Sequence, residues 1–142
     1  MEVSEVRKRV KEAIERARRA TAERRALMDE GSREYEAFLE RIATPLFRQV
    51  ANVLRAEGHQ FTVSTPGGSV RLASDRSAQD YVELALDTGG RHPLVLLHSR
   101  RIRGRRVTES ESAVGNGGPV RELTEDDVLA AIIRELEPLV ER

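Results

Sequence analysis

Hydrophobic and polar residues alternate one by one along much of Phe61 to Ile102, and that period of two predicts a four-stranded antiparallel meander. Phe61, Val63 and Thr65 share one face of a first strand, with Gln60, Thr62 and Ser64 on the other. After a Pro66-Gly67-Gly68 turn, Val70 and Leu72 resume the apolar face while Arg71 points away. Val82, Leu84 and Leu86 repeat the pattern, and Leu94 to Leu97 form a fourth strand. The polar stretch Asp75–Gln79 and the Gly89-Gly90 region before Pro93 read as connections. A fifth strand is expected near Arg105 to Ala113.

Leu94, Val95, Leu96 and Leu97 are apolar at both parities, which predicts a strand covered on both sides. Ala73, Tyr81 and Ala85 join the same second face. One face should meet the chain's own helices, and the other the N-terminal segment or a second copy.

The period changes to that of a helix outside this stretch. From Glu2 to about Glu30 there is no proline or glycine, and alanine, arginine and glutamate dominate, all good helix formers. Val3, Val6, Val10, Ala13, Ala17, Ala20 and Leu27 fall at alternating steps of three and four, with Arg24 in the one missing place. That spacing is a coiled-coil seam. Glu5–Arg9, Glu12–Arg16 and Glu15–Arg19 place the acid four residues before the base, the favourable order. Gly31-Ser32 predicts a break or kink, with Ser32 capping a second helix that carries Tyr35, Phe38, Leu39 and Ile42. Thr44-Pro45 predicts a kink or restart there, threonine as cap and proline at the first helical position. Leu46, Phe47, Val50, Val53 and Leu54 follow, and Gly58 suits a left-handed end. After the glycine-rich Gly115–Pro119, Thr124 and Asp127 form a capping box for a last helix. Val128, Leu129, Ile132, Ile133, Leu136 and Val140 mark the face of that helix that should cover the sheet, and Pro138 limits its last turn.

These elements predict an α+β fold: a long N-terminal helix, a kinked second helix, an antiparallel meander of four or five strands, and a C-terminal helix packed on the sheet. Residues 1–31 form a helical arm and 32–142 a single α+β domain.

Composition narrows the function classes. The 24 basic and 24 acidic residues cancel, which argues against a dedicated polyanion binder. The balance is uneven along the chain, at +2 for residues 1–57, +4 for 58–108 and −6 for 109–142. All but Lys8 and Lys11 of the basic residues are arginine. The chain has no cysteine, so disulfides, thiolate metal sites and cysteine nucleophiles are excluded. No apolar run approaches the ~20 residues of a membrane helix, and the charged N-terminus is unlike a signal peptide. A soluble, cytoplasmic, prokaryotic protein is the expectation.

Chemistry-bearing motifs are sparse. Arg100, Arg101, Arg103, Arg105 and Arg106 crowd one strand and are the candidate phosphate contacts, since guanidinium binds phosphate bidentately. A charged edge strand explains them as well. Aromatic residues are only 4% of the chain and none follows Tyr81, unlike most nucleic-acid binders. His59, His92 and His98 lack metal-ligand spacing, and the glycine-rich loop lacks the lysine and hydroxyl of a phosphate loop. His98 and Ser99 point to opposite faces and do not cooperate. No catalytic, cofactor-binding or metal-binding residue is assigned, and no cofactor is expected.

The leading expectation is a non-catalytic assembly or adaptor module that forms a homo-oligomer, a dimer first. It would use the seam residues Val3 to Leu27 together with Leu94 and Leu96. One alternative is a nucleic-acid-associated protein that uses the arginine strand. Another is a small-ligand binder or enzyme with a pocket between sheet and helices. A protein partner fits the adaptor reading, and a membrane does not.

Overall fold

A computed structural model describes residues 1–141. The chain opens with helix α1 (Val3–Phe38), which leads through a five-residue π turn (Leu39–Ala43) into α2 (Thr44–Ala56). Five strands follow: β1 (Phe61–Ser64), β2 (Val70–Ser74), β3 (Tyr81–Asp87), β4 (Leu94–Arg103) and β5 (Arg106–Ala113). A short 3-10 turn (Val120–Glu122) leads into α3 (Glu125–Val140). The sheet is a five-stranded antiparallel meander in chain order. The fold is α+β, with the C-terminal helix against the sheet.

Alternation puts Val70, Leu72, Val82, Leu84, Val95 and Leu97 on one buried face. There they meet Phe47, Val50 and Leu54 of α2 and Val128, Ala131 and Ile132 of α3 in a single core. Phe61, fixed by its register opposite Ser74, closes the β1 side. Thr124 caps α3 reciprocally with Asp127, as its spacing predicts. Gly58 ends the α2 segment at φ 89°, a conformation glycine adopts without Cβ strain.

Three expectations fail in detail, each for a tertiary reason. Gly31-Ser32 does not break the helix; α1 runs through it unbroken. Gly31 is buried against Pro93 of the β3–β4 loop, and a Cβ there would stand 2.2 Å from the proline Cγ. The glycine is present for close approach, not for a turn. Thr44 does not cap either, since it has helical backbone angles and its N–H reaches back to the Leu39 carbonyl. Pro45 has no N–H to give its preceding turn, and the wide turn just before it takes up the irregularity. Finally, the apolar faces of α2 and α3 are wider than the sheet they cover. Val53, Leu129 and Ile133 are exposed rather than buried on the strands.

The end of α1 is tied down by Tyr35, whose hydroxyl donates to the Gly68 carbonyl at 2.7 Å. Phe38 enters the core three residues on. Before Gly31 no residue of α1 is buried. Some 28 residues at ~1.5 Å rise therefore form a rod on the order of 40 Å long.

Candidate association surface

The rod carries the seam. Val3, Val6, Val10, Ala13, Ala17, Ala20 and Leu27 are all exposed. The aliphatic ones are far from buried: Val3 at 75%, Val10 at 51%, Val6 at 45% and Leu27 at 44%. Ile14, which the three-four template skips, is 44% exposed beside them. It flanks the seam at one residue past Ala13 and widens the apolar stripe in mid-rod. Ile14, Ala17, Thr21 and Ala22 line a shallow hollow of 410 Å³ between Arg18 and Arg25. Of the acid-before-base pairs, Glu5–Arg9 is closed at 3.1 Å. Singly exposed apolar residues are ordinary on a surface, but a continuous stripe along one side of a helix is not.

The outer face of the sheet has a different character. Leu94 and Leu96 are half-buried there. Leu96 pairs with Ala85 on one side and Ala113 on the other, and Gly117 of the following loop backs onto Leu94. The apolar part ends at that row. Next to it runs Arg71, Glu83, His98 and Glu111 in cross-strand register, and then Tyr81, Arg100 and Glu109. Arg71 donates to Glu83 at 3.1 Å and stacks 4.1 Å over the Tyr81 ring. Glu83 also accepts from Ser69. His98 lies 3.7 Å from Glu111 and 4.0 Å from Glu109. Charge thus satisfies charge across most of this face, so it has little need of a cover.

The five arginines of the basic strand separate by parity. Arg100, on the outer face, is held by Gln79 and lies 3.3 Å from Glu109. Arg103, on the helix side, donates to Asp80 at 2.7 Å and to the Pro138 carbonyl at 2.7 Å. The buried Asp80 also accepts from the Ile102 N–H at 2.8 Å, so this cluster fastens the end of β4 to α3. Arg101 is half-buried, while Arg105 and Arg106 are exposed around the Gly104 turn that joins β4 to β5. Ser99 bonds Glu135 of α3, on the opposite face from His98, as alternation requires.

The remaining histidines lie at the rims of open clefts. His92 borders one of 410 Å³ at the root of the rod, with Glu30, Glu34 and Arg121, of which Glu34 and Arg121 are 3.6 Å apart. His59 borders a small one of 90 Å³ beside Ser74 and Arg76. Among the described residues no three metal-ligating side chains converge. None of the described helices is long and apolar enough to cross a membrane. Val53, Leu129 and Ile133 edge a third hollow between α2 and α3, floored by Leu46, Val50 and Leu136. Sequence reading missed its exposure because periodicity marks an apolar side without saying how much of it a neighbour covers.

No known family matches. No curated protein and no solved structure matches the chain either.

Proposed function

We propose that this chain is a non-catalytic assembly or adaptor module that self-associates through its N-terminal rod, residues 1–31, while residues 32–142 form the body that is brought together. The observation that carries this reading is the stripe Val3, Val6, Val10, Ile14 and Leu27, exposed on a helix in which no residue before Gly31 is buried, with Leu27 at the rim of the cleft beside Pro93. An isolated helix gains little from propensity alone, and a partner for its apolar side supplies the missing stabilisation. Four of the five aliphatic side chains are about half exposed and Val3 is 75% exposed, so the burial of each contributes about 1 kcal/mol. A pair of rods then gains about 10 kcal/mol before the cost of association, which is at least ~4 kcal/mol. At most about 6 kcal/mol remains, so the expected dimer is of tens-of-micromolar order or weaker. Leu94 and Leu96 offer a smaller second contact.

Sedimentation equilibrium over a concentration series tests this directly. The unmodified chain should approach twice the mass of 15.9 kDa, and Val10→Asp should remain at one chain mass with its helix content in the body unchanged. A monomer up to about 1 mM, well above that dissociation constant, would remove the proposal.

The exposed guanidinium groups of Arg105 and Arg106 at the β4–β5 turn favour a second reading, contact with the phosphates of a nucleic acid. It is weaker, because Arg100 and Arg103 are already engaged within the fold.

A further inference from the structure

We infer that two copies of the rod pair antiparallel, in the register that sets Val3 against the partner's Leu27, Val6 against the partner's Arg24, Val10 against the partner's Ala20 and Ala13 against the partner's Ala17. This rests on the association reading above and specifies its geometry.

The charge in the seam decides the direction. In a parallel, in-register pair each seam residue faces its own copy, so Arg24 would meet the partner's Arg24 between the helices. Antiparallel, Arg24 crosses Val6 instead. Its methylene stem covers the valine, and its guanidinium reaches solvent at the edge of the seam near the frayed end of the partner instead of meeting its own copy.

Side-chain size points the same way. Along the seam the bulk lies at the N-terminal end, in Val3, Val6 and Val10, and the small residues Ala13, Ala17 and Ala20 follow. A parallel pair would stack large on large and then small on small. The antiparallel register sets Val10 on the partner's Ala20 and leaves alanine on alanine only at the centre, where the helices come closest. Ile14 flanks that centre. In the antiparallel pair it meets the partner's Ile14 across the two-fold axis, beside the hollow lined by Ala17 and Thr21. In the parallel pair it would instead face the partner's Arg9.

On the other flank the antiparallel arrangement pairs Arg9 with the partner's Glu23, twice by symmetry. Its like-charge contacts are Arg16 at the axis and Glu2 against the partner's Glu30 at the frayed ends. The two bodies then sit at opposite ends of the rod, with their Gly31 positions about 48 Å apart along the axis.

The natural absence of cysteine makes a cross-linking test clean. A disulfide needs Cα atoms within about 7 Å. Under mild oxidation of the full-length chain, Ala13→Cys alone and Ala17→Cys alone should give little covalent dimer. An equal mixture of the two should give it in high yield. A charge exchange provides a second readout: Arg9→Glu should weaken dimerisation about tenfold, and Arg9→Glu combined with Glu23→Arg should restore it. Ready cross-linking of Ala13→Cys with itself would establish parallel pairing and overturn the inference while leaving self-association intact. A dimer by sedimentation that cross-links in none of these combinations would overturn the register. A monomer by sedimentation would remove the underlying reading itself.

Discussion

Replacing Gly31 by alanine should destabilise this protein, against the usual rule for a helix interior. In an exposed helix the change gains about 1 kcal/mol. Here the new methyl carbon would lie 2.2 Å from Pro93 Cγ and 2.6 Å from Pro93 Cβ. Carbon atoms in ordinary contact are about 3.5–4.0 Å apart, so α1 and the β3–β4 loop must part by more than ~1 Å. Overpacking of that kind costs about 1–3 kcal/mol, and the parting also strains the anchors just beyond, at Tyr35 and Phe38. With contacts this short the cost lies in the upper part of that range, about 2–3 kcal/mol, and with the propensity gain set against it the net loss should be about 1–2 kcal/mol, or about 3–6 °C in Tm for a chain of this size. Urea unfolding followed by circular dichroism measures it. The proline ring is the obstacle, so the sign should reverse in a Pro93→Gly background, where alanine at position 31 should again stabilise. A double-mutant cycle isolates that coupling, expected at about 2–3 kcal/mol. Gly31→Ala equal to or more stable than the parent, or the same sign in both backgrounds, would refute the close-approach explanation.

The polar clusters of the sheet and the buried tyrosine give further expected outcomes. Asp80→Ala should cost about 2–3 kcal/mol, because it strips charge-assisted bonds from the Ile102 N–H and Arg103. Arg103→Ala should cost only about 1 kcal/mol, since that side chain is 41% exposed and screened by solvent. Chemical denaturation ranks the two, and the reverse order would contradict the clasp. Burial, with a smaller push from Glu83, raises the Tyr35 hydroxyl from 10.0 to about 12. An acid raised on folding lends stability that is whole below its unfolded value, so this contribution should persist to about pH 10 and fall away towards pH 12. Tyrosinate absorbance in a Tyr81→Phe variant follows Tyr35 alone, and a midpoint at the ordinary value would refute its burial. If the chain binds nucleic acid, replacing Arg101, Arg105 and Arg106 by glutamine should flatten the salt dependence by ~0.9 for each phosphate that is no longer neutralised. An unchanged slope in a filter-binding series would show that the hairpin does not touch the phosphates.

Local pattern carried most of the fold. The period of two in Val70–Leu72 and Val82–Leu86 sets strand parity without help from the rest of the chain, and Thr124 with Asp127 announces α3. The polar β5 was harder to see, because residues 106–111 are exposed and neither face is apolar. Local pattern failed where a distant residue decides. Nothing near Gly31 in sequence reveals that Pro93 will press on it, and the glycine therefore reads as a break. The same limit governs the candidate surface. The three-four spacing exposes the seam directly, yet Ile14 lies one place off the template. The apolar parity of Leu94 and Leu96 was legible, but the charge pairing of Arg71, Glu83, His98 and Glu111 beside them depends on strand register.

The π turn at Leu39–Ala43 also acts as a phase shift. Tyr35 and Phe38 face inward before it, whereas an unbroken α-helix would next turn Ile42, Gln49 and Val53 to the core; the buried set is instead Ala43, Leu46, Phe47, Val50, Ala51 and Leu54. One surplus residue in the winding has re-indexed everything downstream. Were this turn to wind as regular α-helix with every residue kept, the rod would rotate by about 100° about its own axis, since each residue of an α-helix turns through that angle. Gly31 would then swing away from Pro93, and the stripe would look in another direction, with no seam side chain altered. Removing Glu40 would instead absorb the surplus residue and leave Gly31, Tyr35 and Phe38 facing as they do. The azimuth of the rod is thus held by the winding of a single wide turn of helix, and the direction of its apolar stripe depends on that turn staying wide.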